Sequence, residues 1–180
     1  MTSDNKSPAS MISIRMAAPD DALAMQKVRR AAWLAVYPND ANGVLPEHLP
    51  SEYKLAKGAI AKLKRQISTN SEADSLFLVA VTDRDTIIGM VRAVRLGRRG
   101  KIDNIFIGPH NQRHEVGSNL LDQALAWLGD TTQTEVDIPI YTGSDVFFEK
   151  HGFHRADEDV PFQALSGDTT IQQVKMIRRG

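Results

Sequence analysis

The chain has no cysteine. That excludes disulfides, thiolate metal centres and a cysteine nucleophile. It has no net charge either: 22 Lys and Arg stand against 22 Asp and Glu. Such a balance argues against nucleic acid or an anionic membrane as the main partner. Its apolar runs are strand-length, too short for a membrane-spanning helix. Residues 1–10 are polar and lack the apolar centre of a signal peptide, so they read as a disordered tail on a cytoplasmic protein. Aromatics are scarce, with two Trp and three Tyr in 180 residues, so the position of each one carries weight. The length suits one domain, 11–180, with an ordinary core.

What is present is a clear alternation of elements. Ile12 to Met16 reads as a first strand. Pro19-Asp20-Asp21 opens a helix, because proline suits a first turn and acids suit its positive end. That helix places Met25, Val28, Ala32 and Ala35 on one face and Arg29, Trp33 and Tyr37 on a neighbouring stripe. Pro38 to Pro50 is a loop. Ser51 can cap a second helix from Glu52 to Ile67. Leu76 to Val81 and Thr86 to Arg95 form a hairpin around Asp83-Arg84-Asp85, and Lys101 to Ile107 is a further strand after Gly97 to Gly100. A helix follows with Gly117, Leu120, Leu121, Ala124 and Leu128 on one face. Glu135 to Ile140 is a strand. Thr142 to Asp145 has capping-box spacing before a short helix through Phe147 and Phe148, which Gly152 stops. Ile171 to Ile177 is the last strand. Middle hairpins with later strand–helix–strand crossovers predict an α/β (mixed α+β) domain. Its central sheet is twisted, mixed and largely antiparallel, with helices on both faces.

The most informative stretch runs from Ile105 to Leu121. An apolar strand enters a polar turn, and the turn enters an amphipathic helix. Unpaired backbone N–H groups at a helix start bind anions, above all phosphates. Glu115 is unexpected there, where a small neutral residue would suit.

Three motifs in this order resemble the GCN5-related N-acetyltransferases. Gln112-Arg113-His114-Glu115-Val116-Gly117 is similar to that family's acetyl-CoA signature, Gln/Arg-x-x-Gly-x-Gly/Ala, and Ser118-Asn119-Leu120-Leu121 to its helix start. Phe147-Phe148-Glu149-Lys150-His151-Gly152-Phe153 is similar to its Phe-Tyr-Glu-Lys-x-Gly-Phe segment. Ala32 to Tyr37 followed by Val44-Leu45-Pro46 is similar to the first-helix region of its small-molecule members. The likeness spans nearly everything from Ile12 onward.

The resemblance implies an acetyl-CoA-dependent transfer of acetyl to a primary amine of a small molecule, by direct attack and without a metal. It places the CoA pyrophosphate at Gln112, Arg113, His114, Glu115, Val116, Gly117 and Ser118. It places the pantetheine arm along Ile105, Phe106 and Ile107, with Phe148 nearby. It makes Arg29, Trp33 and Tyr37 candidates for the acceptor wall, and a homodimer is common in the family. Glu115 replaces the first glycine of the signature. Lys101 stands where many members carry a glutamate base. Phe148 stands where most carry a tyrosine acid. Strict alternation puts Lys101, Asp103, Ile105 and Ile107 on one strand face, which makes Asp103 the substitute base, with Tyr141 the substitute hydroxyl and Ser144 a weaker candidate. The plain alternatives are a surface carboxylate paired with Lys101 or an arginine for Asp103, and a packed aromatic for Tyr141 and Trp33. The alternative function is a catalytically weak CoA-binding sensor or interaction module. His110 and His114 straddle a turn, so their spacing is no zinc signature.

Overall fold

The computed structural model describes residues 11–112, 115–158 and 160–180. The tail expected over 1–10, and the phosphate-site candidates Arg113 and His114, lie outside them. Seven strands form one sheet in the order β1-β2-β3-β4-β5-β9-β6. They are β1 (Ile12–Met16), β2 (Ser75–Thr82), β3 (Ile87–Leu96), β4 (Arg99–Ile107), β5 (Gln133–Pro139), β6 (His154–Arg155) and β9 (Gln173–Arg179). Neighbours are antiparallel except β4 and β5. Two short strands, β7 (Gln163–Ala164) and β8 (Thr170–Ile171), pair apart from it. The mixed, largely antiparallel sheet expected from the sequence is the observed one.

Helices cover both faces. On one side α1 (Ala22–Val36) and α2 (Lys57–Ser68) pack Met25, Trp33 and Leu63 against Phe77, Val79, Met90 and Phe106. On the other, α3 (Val116–Leu128) and α4 (Ser144–Glu149) bring Leu120, Leu121 and Phe148 against Val91, Ile102, Val136 and Met176. Gly89 on β3 lies close beneath α3: a Cβ there would meet Ile107, Leu120 and Val116 side chains at 3.0 to 3.2 Å. No described helix is long and apolar enough to cross a membrane.

Several boundaries differ from expectation for local reasons. The second helix starts at Lys57, not Glu52. Ser51 to Tyr53 form a separate 3-10 turn. Gln26 on α1 donates to the carbonyls of Glu52 and Lys54 at 2.6 and 2.9 Å, which takes those groups out of any continuous helix. Ser51 is therefore inside a turn, and α2 begins without a side-chain cap. Thr142 makes no capping box. Its hydroxyl donates to Pro139, and left-handed Gly143 (φ 69°) starts α4. Ala35 is exposed, while Gln26, Arg29 and Trp33 are buried, so the core face of α1 includes the Arg29–Trp33 stripe. The two-residue strands β6, β7 and β8 are too short to leave a periodic signal.

On β4 the alternation itself breaks. Arg92 pairs with Asn104 and Ala93 with Ile102, so Asp103 is an extra residue, a β-bulge. The single shared face expected for Lys101, Asp103, Ile105 and Ile107 is thereby corrected. Ile105 and Ile107 pack on the α3 side. Lys101 and Asp103 line a cavity on the α1–α2 side with Tyr53, Phe77 and Met90.

Arg15 on β1 fixes the start of α1. It donates to both Asp21 oxygens at 2.6 and 3.0 Å, and Asp21 also accepts from Ala18 N at 2.7 Å. The hydrogen bond from Arg15 holds the Asp21 carboxyl below the ordinary carboxylate range. A carboxyl lowered in the folded state contributes stability above its unfolded pKa of roughly 3.9, and that contribution fades as pH falls through the folded value. In thermal melts across acid pH, Asp21→Asn should therefore lower Tm at pH 6 and converge on the unsubstituted protein towards pH 2. A Tm difference that stays constant down to pH 2 would contradict this.

Candidate active site

The site grows from a fork in the sheet. β4 and β5 run parallel, but their pairing covers only Arg99 with Gln133, Gly100 with Thr134 and Lys101 with Glu135. The Asp103 bulge follows at once, and a bulge bends its strand. Past it, Asn104 to Ile107 on one arm and Val136 to Pro139 on the other have no strand between them. Gly108 N–H donates to Ile88 on β3 at 2.8 Å. Counting back by two, Phe106 directs its backbone groups to β3, whereas Ile105 and Ile107 direct theirs into the fork. The Gln112 side-chain amide reaches the Ile107 carbonyl at 3.4 Å. An extended ligand bearing amides could pair with this open edge as another strand would.

At the end of β4 the chain turns through Pro109–Asn111 and enters α3. Glu115 is the residue before the helix and has φ 59°, in the left-handed region. Glycine adopts that conformation freely, and other residues pay roughly 1 kcal/mol or more. The glycine of the resembling signature thus has a backbone reason here. Among the described residues no side chain caps α3. The first helical bond runs from Asn119 N to Glu115 O at 2.8 Å. The N–H groups of Val116, Gly117 and Ser118 have no acceptor among the described residues, and they stand at the positive end of a 13-residue helix. Glu115 itself is exposed. Its carboxylate lies in water at the rim, where screening weakens its repulsion of an anion.

The second motif meets the first at this helix start. A Cβ on Gly117 would touch Phe147 and Ile107 at 3.5 Å, an ordinary contact, so packing alone does not demand glycine. His151 bonds through Nε2 to Ser118 Oγ and through Nδ1 to Asp122, each at 3.1 Å, and its ring lies 5.0 Å from that of Phe147. This orients the Ser118 hydroxyl beside these N–H groups. Phe148 is 2% exposed and packs edge-on between Phe147 and Phe153, so its ring belongs to the core.

On the opposite face lies a cavity of about 440 Å³. Asp103 Oδ2 accepts from Arg92 at 2.8 Å and from Asn104 at 3.1 Å. Its Oδ1 carries no hydrogen bond among the described residues. Lys101 is paired with Asp137 at 2.7 Å, which bridges β4 and β5 where they part. Asp103 and Asp137 therefore each stand two residues past the last β4–β5 pair, one on each arm.

Of the acceptor-wall candidates, Arg29 lines this cavity. Trp33 and Tyr37 do not. Trp33 is fully buried, and the two rings stack at 5.2 Å. Burial pushes the Tyr37 phenol well above its ordinary range. Tyr141 packs against the α1–α2 core, and its hydroxyl donates to the Tyr37 carbonyl at 2.9 Å. Burial raises its pKa as well. To give up its proton elsewhere it would first have to release that carbonyl. Ser144 bonds the Thr142 hydroxyl at 2.9 Å.

Sequence reasoning missed Asp137, Arg92, Asn104 and Tyr53, which reach the cavity through strand pairing and a 3-10 turn rather than through a motif. For Asp137 a signal existed: an acid inside an otherwise apolar strand. Among the described residues no three His, Asp or Glu side chains are grouped as metal ligands would be.

The family model for the acetyltransferase (GNAT) domain matches residues 45–166. No curated protein matches the chain in sequence. Solved structures share its fold. The PaiA N-acetyltransferase of Thermoplasma acidophilum, in complex with coenzyme A, is 18% identical with TM-score 0.69, over 94% of this chain and 99% of that one. A GCN5-related N-acetyltransferase of Rhodopseudomonas palustris is 19% identical with TM-score 0.70, over 95% and 97%. The ribosomal-protein-S18-alanine N-acetyltransferase of Escherichia coli is 13% identical with TM-score 0.64, over 94% of each. With the family model covering most of its length and the sheet fork in place, the chain belongs to the GNAT acetyltransferase family.

Proposed function

We propose that the protein transfers an acetyl group from acetyl-CoA to the primary amine of a small molecule, by direct attack and without a covalent acetyl-enzyme. The observation that supports this most is the fork. Backbone N–H groups of Ile105 and Ile107, unpaired among the described residues, lead on one side to the start of α3 and open on the other to a cavity lined by charged side chains of both signs. The N–H groups of Val116, Gly117 and Ser118, with the Ser118 hydroxyl, suit a pyrophosphate. Ile105 and Ile107 suit the amides of the pantetheine arm. Acetyl-CoA would bring an activated thioester carbonyl, and an unbonded N–H in the fork can polarise it. An amine arriving as an ammonium must lose a proton before it attacks. Asp103 keeps Oδ1 free for that proton, directly or through a water. Confining both reactants in one fork supplies rate by proximity.

Lys101 supports a second reading, a CoA-binding module with weak turnover. Its ammonium sits where many family members carry the base, and it occupies Asp137. Thioester consumption over a panel of small amines separates the two. The transferase reading expects turnover on at least one amine. It also expects Asp103→Ala to lower kcat by about 100-fold or more while leaving CoA affinity within about threefold. Saturable CoA binding with no turnover on any amine favours the module, and unchanged kcat in Asp103→Ala removes Asp103 as base.

Glu115 offers a separate test of the phosphate site. Glu115→Gly relieves the left-handed backbone by about 1 kcal/mol and removes a carboxylate from the anion's surroundings. Tm should rise, and the calorimetric Kd for CoA should fall several-fold, more so at low salt. An unchanged or weaker affinity would show that the phosphates bind elsewhere.

A further inference from the structure

The charged groups deep in the cavity are paired, with one exception. Arg92 faces Asp103 and Lys101 faces Asp137. Glu52 and Lys62 stand exposed at the edge. Arg29 is 9% exposed, and its Nε is buried with no hydrogen-bond partner. No carboxylate lies within 4 Å of it among the described residues. Its neighbour is an aromatic face: the guanidinium carbon lies 4.4 Å from the centre of the Tyr53 ring, which packs edge-on against Phe106 at 5.5 Å. A π-face compensates a buried cation only in part. It also holds the planar guanidinium in one orientation at the cavity wall.

An unpaired buried cation in a binding cavity calls for an anion from the ligand. A guanidinium edge matches a carboxylate with two parallel N–H donors. Arg92 and Lys101 are already committed to Asp103 and Asp137, and Lys62 at the edge is matched in charge by Glu52, so the uncompensated charge is a single positive one, which a monoanion balances. A second ammonium, as in a polyamine, would be repelled. Arg29, Tyr53 and Asp103 line the same cavity, so the Arg29 end and the Asp103 end share one space.

We propose that Arg29 receives a carboxylate of the acceptor, so that the substrate is a small molecule bearing both a primary amine, placed at Asp103, and a carboxylate, an amino acid or a short relative of one. This rests on the acetyl-transfer reading above and narrows its substrate class. Arg29 is then the residue that sets specificity, and Asp103 serves the amine.

The test compares matched acceptors in the presence of acetyl-CoA: a series of α- and ω-amino acids, their carboxamides, and the corresponding aminoalkyl phosphates. Wild-type kcat/KM should favour at least one acid over its carboxamide by about tenfold or more, the worth of a charge-assisted hydrogen-bonded pair. Arg29→Gln should bring that ratio towards one, chiefly through KM, and Arg29→Lys should restore part of it. Circular dichroism and CoA affinity establish that each variant is folded. Turnover on amines with no preference for the acid, a preference for the phosphate, or a preference that survives Arg29→Gln overturns the proposal while leaving acetyl transfer standing. CoA binding without turnover on any acceptor defeats the transfer reading instead. In that case calorimetry of the same acids against the CoA-bound protein decides the role of Arg29: binding lost in Arg29→Gln keeps it, and no binding of any acid removes it.

Discussion

One extra residue in β4 sets the geometry on which the site depends. Asp103 has no partner on β3, so the strand bends there, and its pairing with β5 ends just before it, at Lys101. The bend converts two parallel neighbours into a fork. The same insertion reverses the alternation of side chains. Lys101 and Asp103 look towards α1 and α2, whereas Ile105 and Ile107 look towards α3. A regular strand would have continued the ladder to β5 and left no backbone group free to pair with a ligand. The cost is a row of backbone N–H groups that have no partner among the described residues, which a fold tolerates where something else completes the pairing.

The two ends of the fork take up different chemistry from different parts of the chain. The α3 end is backbone chemistry: N–H groups without an acceptor among the described residues, a helix dipole and a left-handed residue before the first turn. Glu115 satisfies none of the steric preference at that position, yet its exposed side chain lets the backbone donors remain available. The α1–α2 end is side-chain chemistry. There the carboxylates Asp103 and Asp137 are each tied to a cation, and Arg29 is tied to none. Lys101 and Phe148 depart from the resembling motifs without disturbing either end. One closes the base of the fork with an ion pair, and the other fills the core beneath α4.

The sequence shows the α3 end far better than the cavity, for physical reasons. The Ile105 to Leu121 stretch is contiguous, so strand, turn and helix start are visible as one pattern, and the Gln112–Gly117 motif adds the phosphate assignment. The mixed sheet, the helices on both of its faces and most strands follow from periodicity and element order in the same way. The cavity is assembled across the chain. Arg29 comes from a helix, Tyr53 from a 3-10 turn that reads as helix by composition, and Asp137 from a strand that pairs with β4 for only three residues. The bulge is invisible to alternation because period-two counting assumes that no residue is inserted, and that counting puts Asp103 and Ile105 on one face. Trp33 shows the reverse difficulty. Its stripe with Arg29 reads as a binding wall, but burial makes the tryptophan core and leaves the arginine at the cavity.

The central claim is that the free backbone groups of β4 and α3 form the acetyl-CoA site. Residue-resolved amide hydrogen exchange, with and without acetyl-CoA, tests it most directly. The account predicts that Ile105, Ile107, Val116, Gly117 and Ser118 exchange readily in the free protein and become protected together on binding. Protection of these amides before any ligand is added, or acetyl-CoA binding that protects a different segment, would contradict it.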